Sequence, residues 1–286
     1  MSTWCPKESE HNSMSIDGTK IAEDMAKALA ERVKALPRAP RLCALYAAPT
    51  FATTRFLAIK KARARSIGIT LDAIELGSGI DTAGVVAAVT RAAGEYEGVL
   101  VQLPFPSPVD VEAVLAAVPY VCDVDGIGSE AVRRLAHGDT EVLPPVVGAI
   151  RAIARSEGVD FSGMRAVVVG AGRLVGQPAA VWLRQQGAKV VVLTEETKDL
   201  AAETTRADVL VLGAGVPGLI RPEMVKEGVL LFDAGTSEAA GKLVGDADPA
   251  CAERAALFTP VPGGIGPITV SVIFENLLAL GAERAA

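Results

Sequence analysis

Aromatic side chains are scarce in this 286-residue chain, at 4%, although half of all residues are hydrophobic. A core must therefore be built from Ala, Val, Leu and Ile, the composition of helices packed on parallel strands. Histidine is almost absent: His11 and His137 stand far apart in no HExxH arrangement, which leaves a zinc site without ligands. The four cysteines, Cys5, Cys43, Cys122 and Cys251, form no CxxC pair. That argues against a disulfide framework and for a reducing, cytoplasmic setting. Basic residues are scattered and the formal net charge is −6, so a nucleic-acid surface has little to be built from. The opening "MSTWCPKESEHNS" lacks a basic region followed by an apolar one and reads as a disordered tail over residues 1–13. No apolar run reads as long enough to cross a bilayer, so no membrane partner is expected. No fixed-period repeat occurs.

What is present is alternation. Helical spacing over residues 20–36 stops before Pro37; "RLCALYA" (41–47) reads as a buried strand and "RFLAIKKARARSIGI" as a helix ending at Gly68. Strands at 70–76 and 98–104 enclose the helix "TAGVVAAVTRAAG", and "DVEAVLAAV" supplies another helix. The stretch from Cys122 to Pro144 has weaker periodicity and reads as a crossing between domains, followed by a helix near Pro145. A second series follows, with strands at 165–170, 189–194, 207–213 and 228–235, a helix at 175–186, and a Pro/Gly loop opening an apolar C-terminal helix. Strands alternating with helices imply βαβ units and parallel sheets. The expected fold is α/β in two lobes with a cleft between them, the last helix returning to the first lobe. The boundaries drawn are 14–144, completed by 267–286, and 145–266.

In "VVVGAGRLVGQP" (167–178), Gly170 and Gly172 follow an apolar strand and Gly176 opens a helix. Such a turn offers backbone N–H groups and a helix N-terminus to a pyrophosphate. The spacing is GxGxxxG, and a ligand-free tight turn has the same signature. A second turn, "GAGVPG" (213–218), ends the next strand but one and favours a shared crevice. Candidate cofactor residues are Gly170, Ala171, Gly172, Arg173, Leu174, Val175 and Gly176, with Gly213, Ala214 and Gly215. Glu195 and Glu196 stand 20 to 25 residues beyond the glycines. There a carboxylate suits a ribose 2′-OH and repels a 2′-phosphate, while a solvated pair at a helix start is the plainer reading. NAD is favoured over NADP, although Arg173 could still serve a phosphate.

Phe56 and Lys60 lie one helical turn apart. Lys60 is either a snorkelling lysine covering the ring or a cleft lysine with a depressed pKa that moves protons. Gln102, at the end of the strand "GVLVQLP", and the carboxylates Asp123 and Asp125 of "CDVDGIG" add candidates for a site, as does the loop "TPVPGGIGPIT" with Pro262, Gly263 and Gly264. DxDG could begin a calcium loop, but the remaining ligand positions are absent.

"GVLVQLPFP", "DVDG", "GRLVGQP", "ADVLVLGAGVPGLI" and "TPVPGGIGPIT", in this order, resemble the bifunctional methylenetetrahydrofolate dehydrogenase/cyclohydrolase family from about Ile16 onward. The resemblance implies a folate-binding catalytic domain, a Rossmann-like cofactor domain and a homodimer. It implies oxidation of methylenetetrahydrofolate with NADP or NAD in one-carbon metabolism, followed by hydrolysis to formyltetrahydrofolate. It makes Lys60 the catalytic lysine, Gln102 its tuning partner, Asp125 the reader of the pterin, and Pro262–Gly264 the loop packed on folate. Asp123 and Phe56 are expected to bind substrate.

Four departures stand out. Phe56 replaces a Tyr whose hydroxyl would meet the lysine, and "LPPVVG" (143–148) replaces PCTPxG. "GAG" (Gly170–Gly172) replaces GRS, and "TEET" (194–197) replaces an HSRT-like run. The last two point away from NADP. Competing readings are a two-lobed NAD-dependent dehydrogenase of a non-folate substrate and a non-catalytic folate- or nucleotide-binding protein.

Overall fold

The computed structural model describes residues 14–49, 51–77, 79–239 and 241–285; the expected tail lies outside them. In chain order the elements are β1 (Met14–Ser15), α1 (Gly18–Lys34), β2 (Arg41–Ala47), α2 (Phe51–Ser66), β3 (Thr70–Leu76), α3 (Thr82–Glu95), β4 (Gly98–Val101), α4 (Val111–Ala116) and α5 (Ser129–His137). They continue with α6 (Pro145–Glu157), β5 (Arg165–Val169), α7 (Gly176–Gln185), β6 (Lys189–Leu193), α8 (Leu200–Thr204), β7 (Val209–Leu212) and β8 (Val229–Asp233). Last come β9 (Ser237–Ala239), β10 (Lys242–Val244), β11 (Ala255–Phe258) and α9 (Ile265–Ala285). Two compact units result, one of residues 23–145 with 270–285, the other of residues 14–22 with 146–269.

The first unit is built on a parallel sheet in the order β3-β2-β4. Alternate residues of β2 enter different cores: Leu42 and Ala44 meet α1, α2 and α9, whereas Cys43, Leu45 and Ala47 meet α3 and α4. A central strand buried on both faces explains why "RLCALYA" is a near-continuous apolar run. Gly98 opens β4 because a Cβ there would lie 2.7 Å from both Leu277 and Val124. The strand ends at Val101 rather than 104, since Pro104 brings no N–H to the ladder. Within the expected crossing, α5 forms by burying Ala131 and Leu135 and pairing Glu130 with Arg133 and Arg134; Gly138 closes it at φ 70°.

One expectation is corrected by α9. Residues Ile265–Arg284 are long and apolar enough to cross a membrane by length and composition, with mean hydropathy 1.6. Their apolarity has another cause here: 61% of that window is buried, and Val270, Ile273, Phe274, Leu277 and Leu280 belong to the core beside β2.

The second unit has a sheet in the order β1-β11-β8-β7-β5-β6, all parallel, with a β9–β10 hairpin. From β5 the chain adds β6 on one side, then crosses to place β7 on the other. The carboxyl ends of β5 and β7 thus form a topological switch point, where such sheets open a crevice. The chain before α1 reaches across the boundary expected at residue 14: Met14 pairs with Leu257 and Ser15 with Phe258, and residues 14–22 pack with this unit.

Candidate active site

In the first unit, three elements bring one cluster together. Gln102 follows β4 and extends its pairing, its N–H donating to the Leu45 carbonyl at 2.9 Å. Its side-chain Nε2 donates to the Leu103 carbonyl at 3.0 Å, which turns Oε1 toward α2. There Lys60 Nζ donates to it at 2.8 Å. Both Lys60 and Asp125 are half-buried as residues, but their charged ends are strongly desolvated. Desolvation holds the Lys60 ammonium below its ordinary pKa, against the opposing pull of Asp125. Burial likewise raises Asp125, and Lys60 opposes it. A lysine so placed gives up its proton more readily than an exposed one, and Phe56, one helical turn before it, is 42% exposed.

Asp123 does not face a ligand, contrary to expectation. It is 2% exposed, and its two oxygens accept from Gly126 N at 3.0 Å and Gly128 N at 2.8 Å. Its carboxylate shapes the turn that carries Asp125. Burial pushes its pKa up to about 7, with those N–H groups opposing. Gly128 leaves room for it: a Cβ there would lie 2.9 Å from the carboxylate.

Sequence reasoning missed Asn276. From α9 its Nδ2 donates to the carbonyls of Val124 and Leu143, both at 2.8 Å, and so ties down the residue preceding Asp125. A lone amide within "VSVIFENLLAL" was the available signal.

In the second unit, Gly170 has φ +97°, and a Cβ on it would lie 2.6 Å from the Gly213 carbonyl oxygen. A Cβ on Gly176 would lie 1.9 Å from the Gly170 carbonyl oxygen. The first turn therefore closes tightly on the start of α7 and on the second turn. Around Gly172 nothing lies within 4 Å of an added Cβ, and Ala171 and Gly172 are exposed. Close packing on one side and open space on the other form a cradle that suits a pyrophosphate at a helix N-terminus. Arg173, Leu174 and Val175 complete that turn; Leu174 is 49% exposed. Glu195 and Glu196 sit exposed in a tight turn after β6, where Thr197 N donates to the Thr194 carbonyl. Gly213, Ala214 and Gly215 follow β7. Their amides are all used internally, by the Val169 carbonyl and by Asp246, a buried carboxylate that sequence reasoning also missed. Pro262, Gly263 and Gly264 form a loop held by Gly18 N, which donates to the Gly263 carbonyl at 2.9 Å, and by Gly264 N to Pro260 O at 2.7 Å.

A desolvated lysine on a glutamine, an aspartate-bearing glycine turn and a dinucleotide cradle at a sheet switch point now stand in one chain. Residues 16–125 match the model of the tetrahydrofolate dehydrogenase/cyclohydrolase catalytic domain, and residues 144–285 match that of its NAD(P)-binding domain. The chain belongs to the tetrahydrofolate dehydrogenase/cyclohydrolase family. Bifunctional protein FolD of Dechloromonas aromatica is 37% identical over 95% of this chain and 98% of its own length. Its counterpart in Thermus thermophilus is 34% identical over 94% and 96%. Among solved structures, the Campylobacter jejuni FolD methylenetetrahydrofolate dehydrogenase/cyclohydrolase matches with TM-score 0.90 at 29% identity, covering 95% of this chain and 99% of that one. The Trypanosoma brucei FolD, complexed with NADP cofactor and inhibitor, matches with TM-score 0.90 at 30% identity, covering 96% and 98%.

Proposed function

We propose that this family member oxidises 5,10-methylenetetrahydrofolate to 5,10-methenyltetrahydrofolate and hydrolyses the product, more weakly, to 10-formyltetrahydrofolate. The observation that carries the reading is the desolvated Lys60 ammonium on Gln102 beside Asp125. A nicotinamide dinucleotide bound at the first glycine turn supplies the hydride acceptor. Asp125 accepts hydrogen bonds from the pterin's amino and ring N–H groups and so fixes the folate. Oxidation leaves an amidinium-like cation, whose charge near Lys60 further favours the neutral amine. That amine takes a proton from the water that adds to the methenyl carbon; the adduct then loses its hydroxyl proton and breaks its bond to N5, which takes up a proton as the 10-formyl group forms. Gln102 holds the amine's direction through Oε1. Phe56 packs on the substrate but brings no hydroxyl to the lysine, so hydrolysis is the step that suffers.

For the dinucleotide, Glu195 and Glu196 support NAD over NADP, because two exposed carboxylates after β6 repel a 2′-phosphate. Arg173 is the group that would favour NADP. A homodimer is part of the same reading and is checked by light scattering.

The test is initial rate with methylenetetrahydrofolate against NAD and NADP separately, following reduced cofactor and methenyl product. Turnover with NAD and accumulating methenyl product support the reading; Phe56→Tyr then lowers that accumulation. Absence of turnover with either cofactor overturns it. A clear preference for NADP that Glu195→Gln with Glu196→Gln leaves unchanged overturns the role given to the glutamates.

A further inference from the structure

Two carboxylates of the second unit occupy each other's glycine niches. Asp233 ends β8 at 2% exposure; its Oδ1 accepts from Gly235 N at 2.8 Å and Asp246 N at 3.1 Å, its Oδ2 from Ala247 N at 2.8 Å. Its own N–H donates to Thr259 Oγ1 at 2.7 Å. Asp246 is fully buried, and its Oδ2 accepts from Ala214 N at 2.7 Å and Gly215 N at 3.0 Å. A Cβ on Gly245 would lie 2.1 Å from Asp233 Oδ2, and one on Gly235 would lie 2.4 Å from Asp246 Oδ1. The two strands of chain are thus clasped reciprocally, with no room for a side chain at either glycine.

The arrangement is expensive. A buried carboxylate costs free energy unless it is fully bonded, yet Asp246 Oδ1 has no hydrogen-bond partner. Among the described residues no cation pairs with either aspartate. What Asp246 does secure is the second glycine turn: it takes two consecutive amides there by charge-assisted bonds. With Gly213 N donating to the Val169 carbonyl, those three residues have no amide left for a phosphate.

The halves of a dinucleotide can be assigned to the two sides of the switch point. The carboxylates that suit an adenosine ribose follow β6, on one side of β5. The turn fixed by Asp246 follows β7, on the other side, and so falls under the nicotinamide half. We propose that Asp246 is a positioning residue for cofactor binding, holding the Gly213–Gly215 turn in the shape that receives the nicotinamide half of the dinucleotide. The proposal rests on the nicotinamide-dependent reading given above.

Calorimetric titration of NAD, NADP and 5′-ADP into the wild type, Asp246→Ala and Asp246→Asn tests it. Asp246→Ala is expected to weaken the better dinucleotide tenfold or more while 5′-ADP, which carries no nicotinamide, stays within twofold. Asp246→Asn keeps one oxygen for the two amides and falls between. A parallel loss of 5′-ADP affinity would mark a merely structural role and overturn the proposal, as would unchanged dinucleotide affinity in both variants. If Asp246→Ala does not fold, Asp246→Asn decides alone, and affinities within twofold of wild type overturn the proposal. Wild-type protein that binds neither dinucleotide sinks the underlying reading and this inference with it; wild-type binding with unaffected variants sinks the inference only.

Discussion

Replacing Gln102 by Leu should lower the pKa of Lys60, and the size of the shift can be worked from the site. Gln102 Oε1 is a neutral acceptor 2.8 Å from the Lys60 ammonium, and its amide is oriented by the Leu103 carbonyl so that oxygen, not nitrogen, faces the lysine. That bond favours the charged form, whereas desolvation already disfavours it. A hydrogen bond to a charged group contributes about 1.5 to 3 kcal/mol, and one pKa unit corresponds to about 1.4 kcal/mol. Leu, similar in bulk but without an acceptor, should therefore move Lys60 down by about one to two units. The assay is the pH–rate profile of methenyltetrahydrofolate hydrolysis. If neutral Lys60 is the base, the rate rises with pH through its pKa, and the rising limb of Gln102→Leu sits about one to two pH units lower. Lys60→Gln should abolish that limb. A limb that stays in place, or moves to higher pH, refutes the assignment of Gln102 as the partner of the charged lysine.

The glycine turn makes a paired prediction: Gly172→Ala, with open space around it, should leave stability within about 0.5 kcal/mol and still weaken cofactor binding several-fold by intruding on the phosphate. Gly176→Ala, forced to 1.9 Å from a backbone oxygen, should instead destabilise by about 1 to 3 kcal/mol, read by urea unfolding. Equal losses in the two variants would contradict the cradle. Asn276→Leu leaves the Val124 and Leu143 carbonyls unsatisfied; a stability loss of about 2 to 4 kcal/mol and a raised KM for folate are expected, and an unchanged KM would detach Asn276 from Asp125. Asp123 is raised from 3.8 to about 7 on folding, so its titration contributes stability that is full below pH 3.8 and lost as pH rises through about 7. Relative to Asp123→Asn, the wild type should lose up to about 4 kcal/mol across that window; a difference independent of pH would show that the carboxylate titrates normally.

How far the sequence could be read follows the range of the interactions involved. Short continuous apolar runs and period-3.6 spacing revealed β2 to β8 and most helices, because each such segment buries its own apolar residues. Lys60, Gln102 and Asp125 were singled out because their short surroundings are distinctive, and the structure brings them together. The miss at Asp123 is a matter of direction: both carboxylates of DVDG are visible in the sequence, but which one turns inward depends on the amides of Gly126 and Gly128. Asp246 and Asn276 escaped because their partners lie 31 and more than 130 residues away. The strands β1 and β11 are two and four residues long, too short for periodicity to register. The short helix α5 hid its two buried residues among charges.

The pairing of β1 with β11 also bears on how the molecule is made. Ile16 N reaches the Phe258 carbonyl at 2.8 Å, so the earliest described residues close a sheet whose neighbouring strand is synthesised more than 200 residues later. Until then the Ile16 amide has no sheet partner, and the unit holding β5 to β8 cannot be finished by any contiguous fragment that leaves out the first unit. Synthesis of an isolated cofactor-binding half from residue 146 onward should yield a sheet with β11 bare at its edge, a template for pairing with other chains. For this polypeptide, domain boundaries drawn along the sequence are poor places to cut.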